Sequence, residues 1–91
     1  MRKLENKVAI VTGGAMGNGL GIVKVFLRYG ARVAILDYAD TLEETLKSLK
    51  NENPESEIVG YKVDIRDKNR VKECVDAIAN HFGRIDILVN N

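Results

Sequence analysis

Three glycines, Gly13, Gly17 and Gly19, follow a short apolar run near the start of the sequence. Glycine lets a chain turn sharply and lets the backbone come close to a ligand, because it carries no Cβ. Where such a turn opens a helix, the free N–H groups and the positive end of the helix dipole attract anions. The spacing therefore predicts an anion-binding turn. An ordinary turn between a strand and a helix also needs glycine, and that interpretation stays open.

A carboxylate, Asp37, stands 18 residues beyond Gly19, at the end of a second apolar run. In dinucleotide sites a carboxylate about 20 residues after the glycines accepts hydrogen bonds from a ribose. A turn-forming residue at a strand end is the alternative interpretation of Asp37. No Lys-Ser or Lys-Thr pair follows the glycines, which excludes a phosphate loop of the Walker type.

The elements that must position these residues alternate along the chain. Apolar, β-branched runs predict strands over residues 7–12, 32–37, 58–64 and 85–89. Helical periodicity predicts helices from residue 16 or 18 to 29, from 41 to 53, and from 67 to 82. This βαβαβαβ order predicts an α/β fold: a Rossmann-type parallel sheet of strand order 3-2-1-4, with helices one and two on one face and helix three on the other.

Several residues mark the helix ends. Gly30 and Gly83 suit left-handed C-terminal caps, and Asp67 is a plausible N-cap. Thr41 and Glu44 have the spacing of a capping box at the start of helix two.

Composition restricts the function classes. The 91 residues are 45% hydrophobic and 30% charged with a net charge of +1, so neither nucleic acid nor a membrane surface is expected as a partner. The first apolar run is too short for a signal peptide or a membrane span. The lone Cys74 suits a reducing compartment, with the cytoplasm as the default, and the lone His81 gives no metal-ligand set.

The fourth predicted strand ends almost at the last residue. An apolar strand of a parallel sheet usually has a neighbour on each side and helices over both faces. We therefore expect residues 1–91 to be the N-terminal part of a single dinucleotide-binding domain. We also expect copies of this chain to associate through the exposed edge.

Together these features resemble the N-terminal part of the short-chain dehydrogenase/reductase family. The resemblance covers essentially all 91 residues. It rests on the Thr-Gly-x-x-x-Gly-x-Gly spacing of residues 12–19, on Asp37, on Val63-Asp64-Ile65 after strand three, and on the terminal Asn90-Asn91, which matches the start of the family's Asn-Asn-Ala-Gly motif.

The resemblance implies roles for individual residues. The three glycines would form the floor under a dinucleotide diphosphate, with the backbone of Asn18 and Leu20 at the helix entrance. Asp37 would hold the adenosine ribose. The implied cofactor-binding residues of the turn, helix and second strand are Gly13, Gly17, Asn18, Gly19, Leu20 and Asp37.

Two later segments also receive roles from the resemblance. Asp64 would accept from the adenine amino group while Ile65 packs against the ring. Asn90 and Asn91 would border the ribose and nicotinamide side. A loop residue at Asp64 and turn formers at Asn90 and Asn91 are the alternatives.

The resemblance implies that the chain is the NAD(H)-binding portion of an NAD(P)-dependent oxidoreductase, which acts on a small alcohol or carbonyl substrate. A stand-alone nucleotide-binding module is the alternative.

Catalysis in the family uses a Tyr with a Lys four residues later, assisted by an upstream Ser. None of Tyr29, Tyr38 and Tyr61 has such a lysine, so no residue is assigned a catalytic role. Met16 and Tyr38 stand where members that prefer a 2′-phosphate carry basic residues, which favours NAD over NADP.

Overall fold

The computed structural model describes residues 3–91 as seven alternating elements. The strands are β1 (Val8–Thr12), β2 (Arg32–Asp37), β3 (Ile58–Lys62) and β4 (Ile87–Val89). The helices are α1 (Gly17–Arg28), α2 (Leu42–Glu52) and α3 (Lys68–Phe82). The predicted alternation of strands and helices is confirmed.

The four strands form one parallel sheet of order β3-β2-β1-β4. Val11 of the central strand β1 is in register with Ile35 on one side and with Val89 on the other. Because all strands run the same way, their carboxyl ends meet at one edge of the sheet. The predicted strand order is confirmed, and the order reverses between β1 and β4, where ligands bind in open α/β sheets.

The two faces of the sheet bury different residues of β2. Val33 and Ile35 belong to the core under α1 and α2, whereas Ala34 and Leu36 belong to the core under α3. This alternation follows from the period of two along a strand. Helix residues of the first core include Val23, Leu27, Leu42, Leu46 and Leu49, and those of the second are Cys74, Ile78 and Phe82.

Three predicted strands are shorter in the structure, and the residues excluded at their ends include the charged Lys7, Asp64 and Asp86. Strand one begins at Val8 rather than residue 7, and strand three ends at Lys62, which is in register with the last residue of β2. Strand four begins at Ile87 rather than residue 85. Just before it, the Asp86 N–H donates to the Val8 carbonyl at 2.9 Å, whereas the Val8 N–H donates to the Asp86 carboxylate at 2.8 Å instead of to a backbone carbonyl.

The helix ends follow the sequence signals except at α2. Gly30 (φ 91°) and Gly83 (φ 82°) are left-handed, and the Asp67 side chain accepts from the Arg70 N–H at 3.1 Å. The capping-box prediction at Thr41 is wrong. Thr41 has a helical backbone (φ −79°, ψ −2°) and makes no side-chain cap hydrogen bond within the described chain. A capping side chain usually starts from an extended backbone, which Thr41 lacks.

The β4 edge presents an apolar surface. Leu88 is 58% exposed, although its register neighbour Ile10 is buried in the core on the α3 side.

Among residues 3–91, no helix is long and apolar enough to cross a membrane.

We predict that the 91-residue chain, expressed alone, associates through β4. Leu88→Lys should shift the chain toward monomer in sedimentation velocity, because a lysine at an exposed strand edge opposes edge-to-edge pairing. Val25→Lys is the matched control, since Val25 is a similarly exposed apolar residue (45%) that belongs to the helix α1 and not to a strand edge. A wild-type chain that sediments as a monomer at all concentrations would contradict the prediction.

Candidate functional site

The carboxyl ends of β1 and β4 are tied together by side chains. The Thr12 hydroxyl donates to the Val89 carbonyl at 3.3 Å and accepts from the Asn91 N–H at 3.1 Å. The Asn91 side-chain amide then donates to the Gly13 carbonyl at 3.3 Å. These bonds place the segment after β4 directly against the glycine-rich turn that follows β1.

The glycine-rich turn packs closely against the first turn of α1. A Cβ on Gly19 would collide with the Gly13 carbonyl oxygen and would lie 2.8 Å from the Asn91 amide nitrogen. Gly13 and Gly17 adopt left-handed backbone conformations, with φ of 67° and 59°. Gly19 is therefore required by space, whereas Gly13 and Gly17 are required by conformation.

The N-terminus of α1 is open. Met16, at the N-cap, has an extended backbone (φ −157°, ψ 170°) and makes no side-chain cap hydrogen bond within the described chain. Gly17 and Asn18 are exposed at this end, and the Leu20 N–H donates to the Met16 carbonyl at 3.2 Å. The first helical amides thus form the donor-rich, electropositive end that anions favour.

The Asp37 carboxylate lies beside this turn. Its Oδ2 accepts from the Ala15 N–H at 2.8 Å, and its Oδ1 accepts from the Ala39 N–H at 2.9 Å. Each oxygen of an ionised carboxylate can accept about two hydrogen bonds, so each retains acceptor capacity. Asp37 therefore connects β2 to the turn and can still accept from a ligand.

A cleft of about 160 Å³ opens at this edge of the sheet. It brings together five of the ten predicted site residues, which lie far apart in the sequence. Its lining residues are Gly13, Leu36, Asp37, Tyr38, Val63, Asp64, Ile65 and Asn91. Of the other predicted residues, Gly17 and Asn18 border a separate groove on α1, and Gly19 is buried. Leu20 lines a pocket together with α2 residues, and Asn90 is exposed beyond β4.

Asp64 carries its own counterion. The Arg66 guanidinium contacts the carboxylate at 2.7 Å, and the Arg66 N–H also donates to it at 2.9 Å. These hydrogen bonds lower the pKa of Asp64 to about 2, so the carboxylate is ionised throughout the neutral range.

A second cation, Lys62, lies beside Tyr38. Its Nζ is 5.8 Å from the centre of the Tyr38 ring and pairs with the Asp40 carboxylate at 2.5 Å. The hydrogen bond to Asp40 raises the pKa of Lys62, and the same contact lowers the pKa of Asp40. Sequence reasoning considered only Met16 and Tyr38 at this end of the site, because the sequence does not show that β3 brings Lys62 alongside Asp37.

Three further residues shape the site, although no role was assigned to them from the sequence. Thr12 connects β1 to β4, as described above. Gly14 has no space for a side chain, since a Cβ there would lie 2.9 Å from Ile35 Cγ2. The Thr45 hydroxyl, from α2, donates to the Ala15 carbonyl at 2.9 Å. Of these three residues, only Thr12 gave a signal in the sequence, because it is a polar residue at the end of a buried strand.

The model of the short chain dehydrogenase family matches residues 7–91. The chain belongs to the short-chain dehydrogenase family. The predicted resemblance is thereby confirmed over almost the whole sequence.

Individual relatives agree with this assignment. The chain is 39% identical over 89 residues to a 3alpha-hydroxysteroid dehydrogenase of Mediterraneibacter gnavus, covering 97% of this chain and 36% of that protein. Its structure resembles an NAD-bound short-chain dehydrogenase from Mycobacterium paratuberculosis (TM-score 0.89, 33% identity, 98% of this chain and 37% of that one). It also resembles L-sorbose reductase from Gluconobacter frateurii complexed with NADPH and L-sorbose (TM-score 0.90, 33% identity, 99% and 34%).

The short-chain dehydrogenase chain corresponds to the nucleotide-binding part of an oxidoreductase family that binds nicotinamide dinucleotides and small substrates. It spans about a third of the length of the relatives named above. The match to the family model and to a named dehydrogenase supports the oxidoreductase interpretation over that of a stand-alone nucleotide-binding module.

We predict that Gly19→Ala weakens dinucleotide binding by at least about tenfold, because the new methyl group would push the turn away from α1. Gly21→Ala is the matched control: it lies on the same helix, and a Cβ there meets nothing within 4 Å. Isothermal titration calorimetry on the protein that contains this chain gives both affinities. Equal affinities for the two variants would show that the close approach at Gly19 is irrelevant to binding.

Proposed function

We propose that this chain is the N-terminal part of a single dinucleotide-binding domain, in an enzyme that oxidises a small alcohol or reduces the matching carbonyl compound. The observation that carries the proposal is the juxtaposition, at one sheet edge, of the open α1 N-terminus and the half-buried Asp37 carboxylate. A dinucleotide needs both features, since it carries an anionic diphosphate and a ribose with hydroxyl donors.

The residues present fit such a cofactor. The turn leaves no side chain at Gly13, Gly17 and Gly19, and the exposed first residues of α1 present backbone amides. We assign the diphosphate to these glycines and to Asn18, with Leu20 completing the first helical turn. When bound, the nicotinamide ring supplies hydride transfer; the residues of this chain bind and orient the dinucleotide.

The cleft beyond Asp37 suits the adenosine half. Asp37 has acceptor capacity left for the ribose hydroxyls after its two backbone bonds. Ile65 is 53% exposed on the cleft wall and offers an apolar surface for the adenine ring, with Asp64 as acceptor for its amino group. On the β4 side, Asn91 lies against Gly13, and we assign Asn90 and Asn91 to the border of the nicotinamide half.

We propose NAD rather than NADP as the cofactor. A 2′-phosphate would meet the Asp37 carboxylate, whereas a 2′-hydroxyl would donate to it. The nearby cations Lys62 and Arg66 are each paired with a carboxylate, Asp40 and Asp64, which offsets their attraction for a phosphate. The solved relatives include both an NAD and an NADPH complex. Our proposal of NAD over NADP therefore rests on Asp37 and on the paired cations Lys62 and Arg66.

Two further proposals concern the whole protein. A reducing compartment such as the cytoplasm suits the free, buried Cys74. We also propose that the whole protein is a homo-oligomer, the commonest kind of assembly among soluble proteins; the exposure of Leu88 bears only on the 91-residue chain expressed alone.

We predict that the protein containing this chain binds NAD more tightly than NADP. Asp37→Ala should narrow the difference by about 1–3 kcal/mol, because it removes both a charge-assisted hydrogen bond and the repulsion of a 2′-phosphate. Calorimetric titration with the two dinucleotides measures the difference. Asp76→Ala, which removes an exposed carboxylate from α3, is the control for net charge. Equal affinity of the unmutated protein for both cofactors would remove the role given to Asp37.

We predict that residues 1–91, expressed alone, show no dehydrogenase turnover. General acid catalysis needs a proton donor at the substrate oxygen, and no tyrosine in this sequence has a lysine four residues later. The assay follows NADH absorbance with a panel of alcohols and ketones. Turnover that Asp37→Ala abolishes would show that these 91 residues contain catalytic groups of their own.

A further inference from the structure

We propose that Thr45, on α2, is a positioning residue for cofactor binding, which acts by holding the glycine-rich turn through the Ala15 carbonyl. The proposal rests on the proposed function, since it concerns the same dinucleotide site. Thr45 itself would contact no part of the cofactor.

Both backbone polar groups of Ala15 are held by side chains from other elements. The Ala15 N–H donates to Asp37 Oδ2 at 2.8 Å, and the Ala15 carbonyl accepts from Thr45 Oγ1 at 2.9 Å. Ala15 is 2% exposed, so neither group has ready access to water. Because a buried backbone group without a partner is costly, these two bonds determine which conformation of the turn is stable.

The Thr45 bond is not a local one. A threonine inside a helix commonly donates its hydroxyl to the carbonyl four residues earlier in the same helix. Thr45 donates instead to a residue 30 positions away, across the interface between α2 and the turn. Its backbone N–H still bonds the Thr41 carbonyl at 3.0 Å, so the helix does not need the hydroxyl for its own hydrogen bonds.

The turn that Thr45 holds is the one that must accept the diphosphate. Ala15 lies between Gly13 and Gly17, and the open end of α1 begins two residues later. A shift of the Ala15 peptide would move the amides at that end relative to the cleft. Asp37 has two roles under this proposal, holding the turn and accepting from the ribose, whereas Thr45 has only the first.

This difference gives a readout that separates Thr45 from Asp37. Loss of the Thr45 hydroxyl should lower the affinities for NAD and for NADP by the same factor, because both cofactors contain the diphosphate. Loss of the Asp37 carboxylate should change the ratio between them. A purely structural contribution of Thr45 would lower the melting temperature and leave both affinities unchanged where the protein is folded.

The experiment uses the protein that contains this chain. Thr45→Val removes the hydroxyl at nearly constant shape, Thr45→Ser restores a hydroxyl, and Thr41→Val makes the same change four residues earlier, where the side chain makes no cap hydrogen bond within the described chain. Affinities for NAD and NADP are measured by calorimetry below the melting transition seen by circular dichroism. We expect about a tenfold loss for both cofactors in Thr45→Val, binding within about threefold of wild type in Thr45→Ser, and no change in Thr41→Val.

The alternative outcomes are distinct. Wild-type affinity in folded Thr45→Val, or a changed NAD-to-NADP ratio, overturns the role of Thr45 while the proposed function stands. If Thr45→Val does not fold, Thr45→Ala repeats the test with a residue that favours helix more strongly, and the same two results would overturn the proposal. An unmutated protein that binds neither dinucleotide would overturn the proposed function itself, and the role of Thr45 with it.

Discussion

The position of β1 between β2 and β4 is the constraint on which the site depends. Parallel pairing on both sides aligns the carboxyl end of β1 with those of its neighbours, so the turn after β1 receives contacts from both. Asp37 reaches this turn from β2, and Asn91 reaches it from the segment after β4. A site at this edge therefore needs no long loop, because the register of three strands already brings its groups together.

Close packing around the turn gives this arrangement its precision. Gly19 leaves space for the Gly13 carbonyl, and Gly14 leaves space for Ile35. The polar groups of Ala15 are held by Asp37 and Thr45, which belong to β2 and α2. The turn is thus fitted between β1, β2, α1 and α2, and its amides can be oriented before any ligand arrives. Such preorganisation lowers the cost of ordering the site on binding.

The charges around the cleft are largely compensated within the chain. Lys62 forms a salt bridge with Asp40, and Arg66 forms one with Asp64. Asp37 differs from these residues, because its hydrogen bonds come from backbone amides and it has no cationic partner among the described ion pairs. A ligand that brings hydroxyl donors to Asp37 would therefore find an acceptor that is not neutralised by a neighbouring cation.

Apolar periodicity and glycine spacing are local features, so the order of the elements and the family could be predicted from the sequence. The strand order could be predicted as well, because right-handed crossovers restrict how alternating strands and helices connect. The sequence also located Gly13, Asp37 and Asn91, whose meeting in one place follows from parallel strands. Contacts between elements could not be predicted, because they depend on how the helices and strands pack together. The bond from Thr45 to Ala15 spans 30 residues, and Lys62 lies alongside Asp37 only through the register of β3. Thr41 likewise fails as a cap because its backbone is already helical, which its side-chain type cannot reveal.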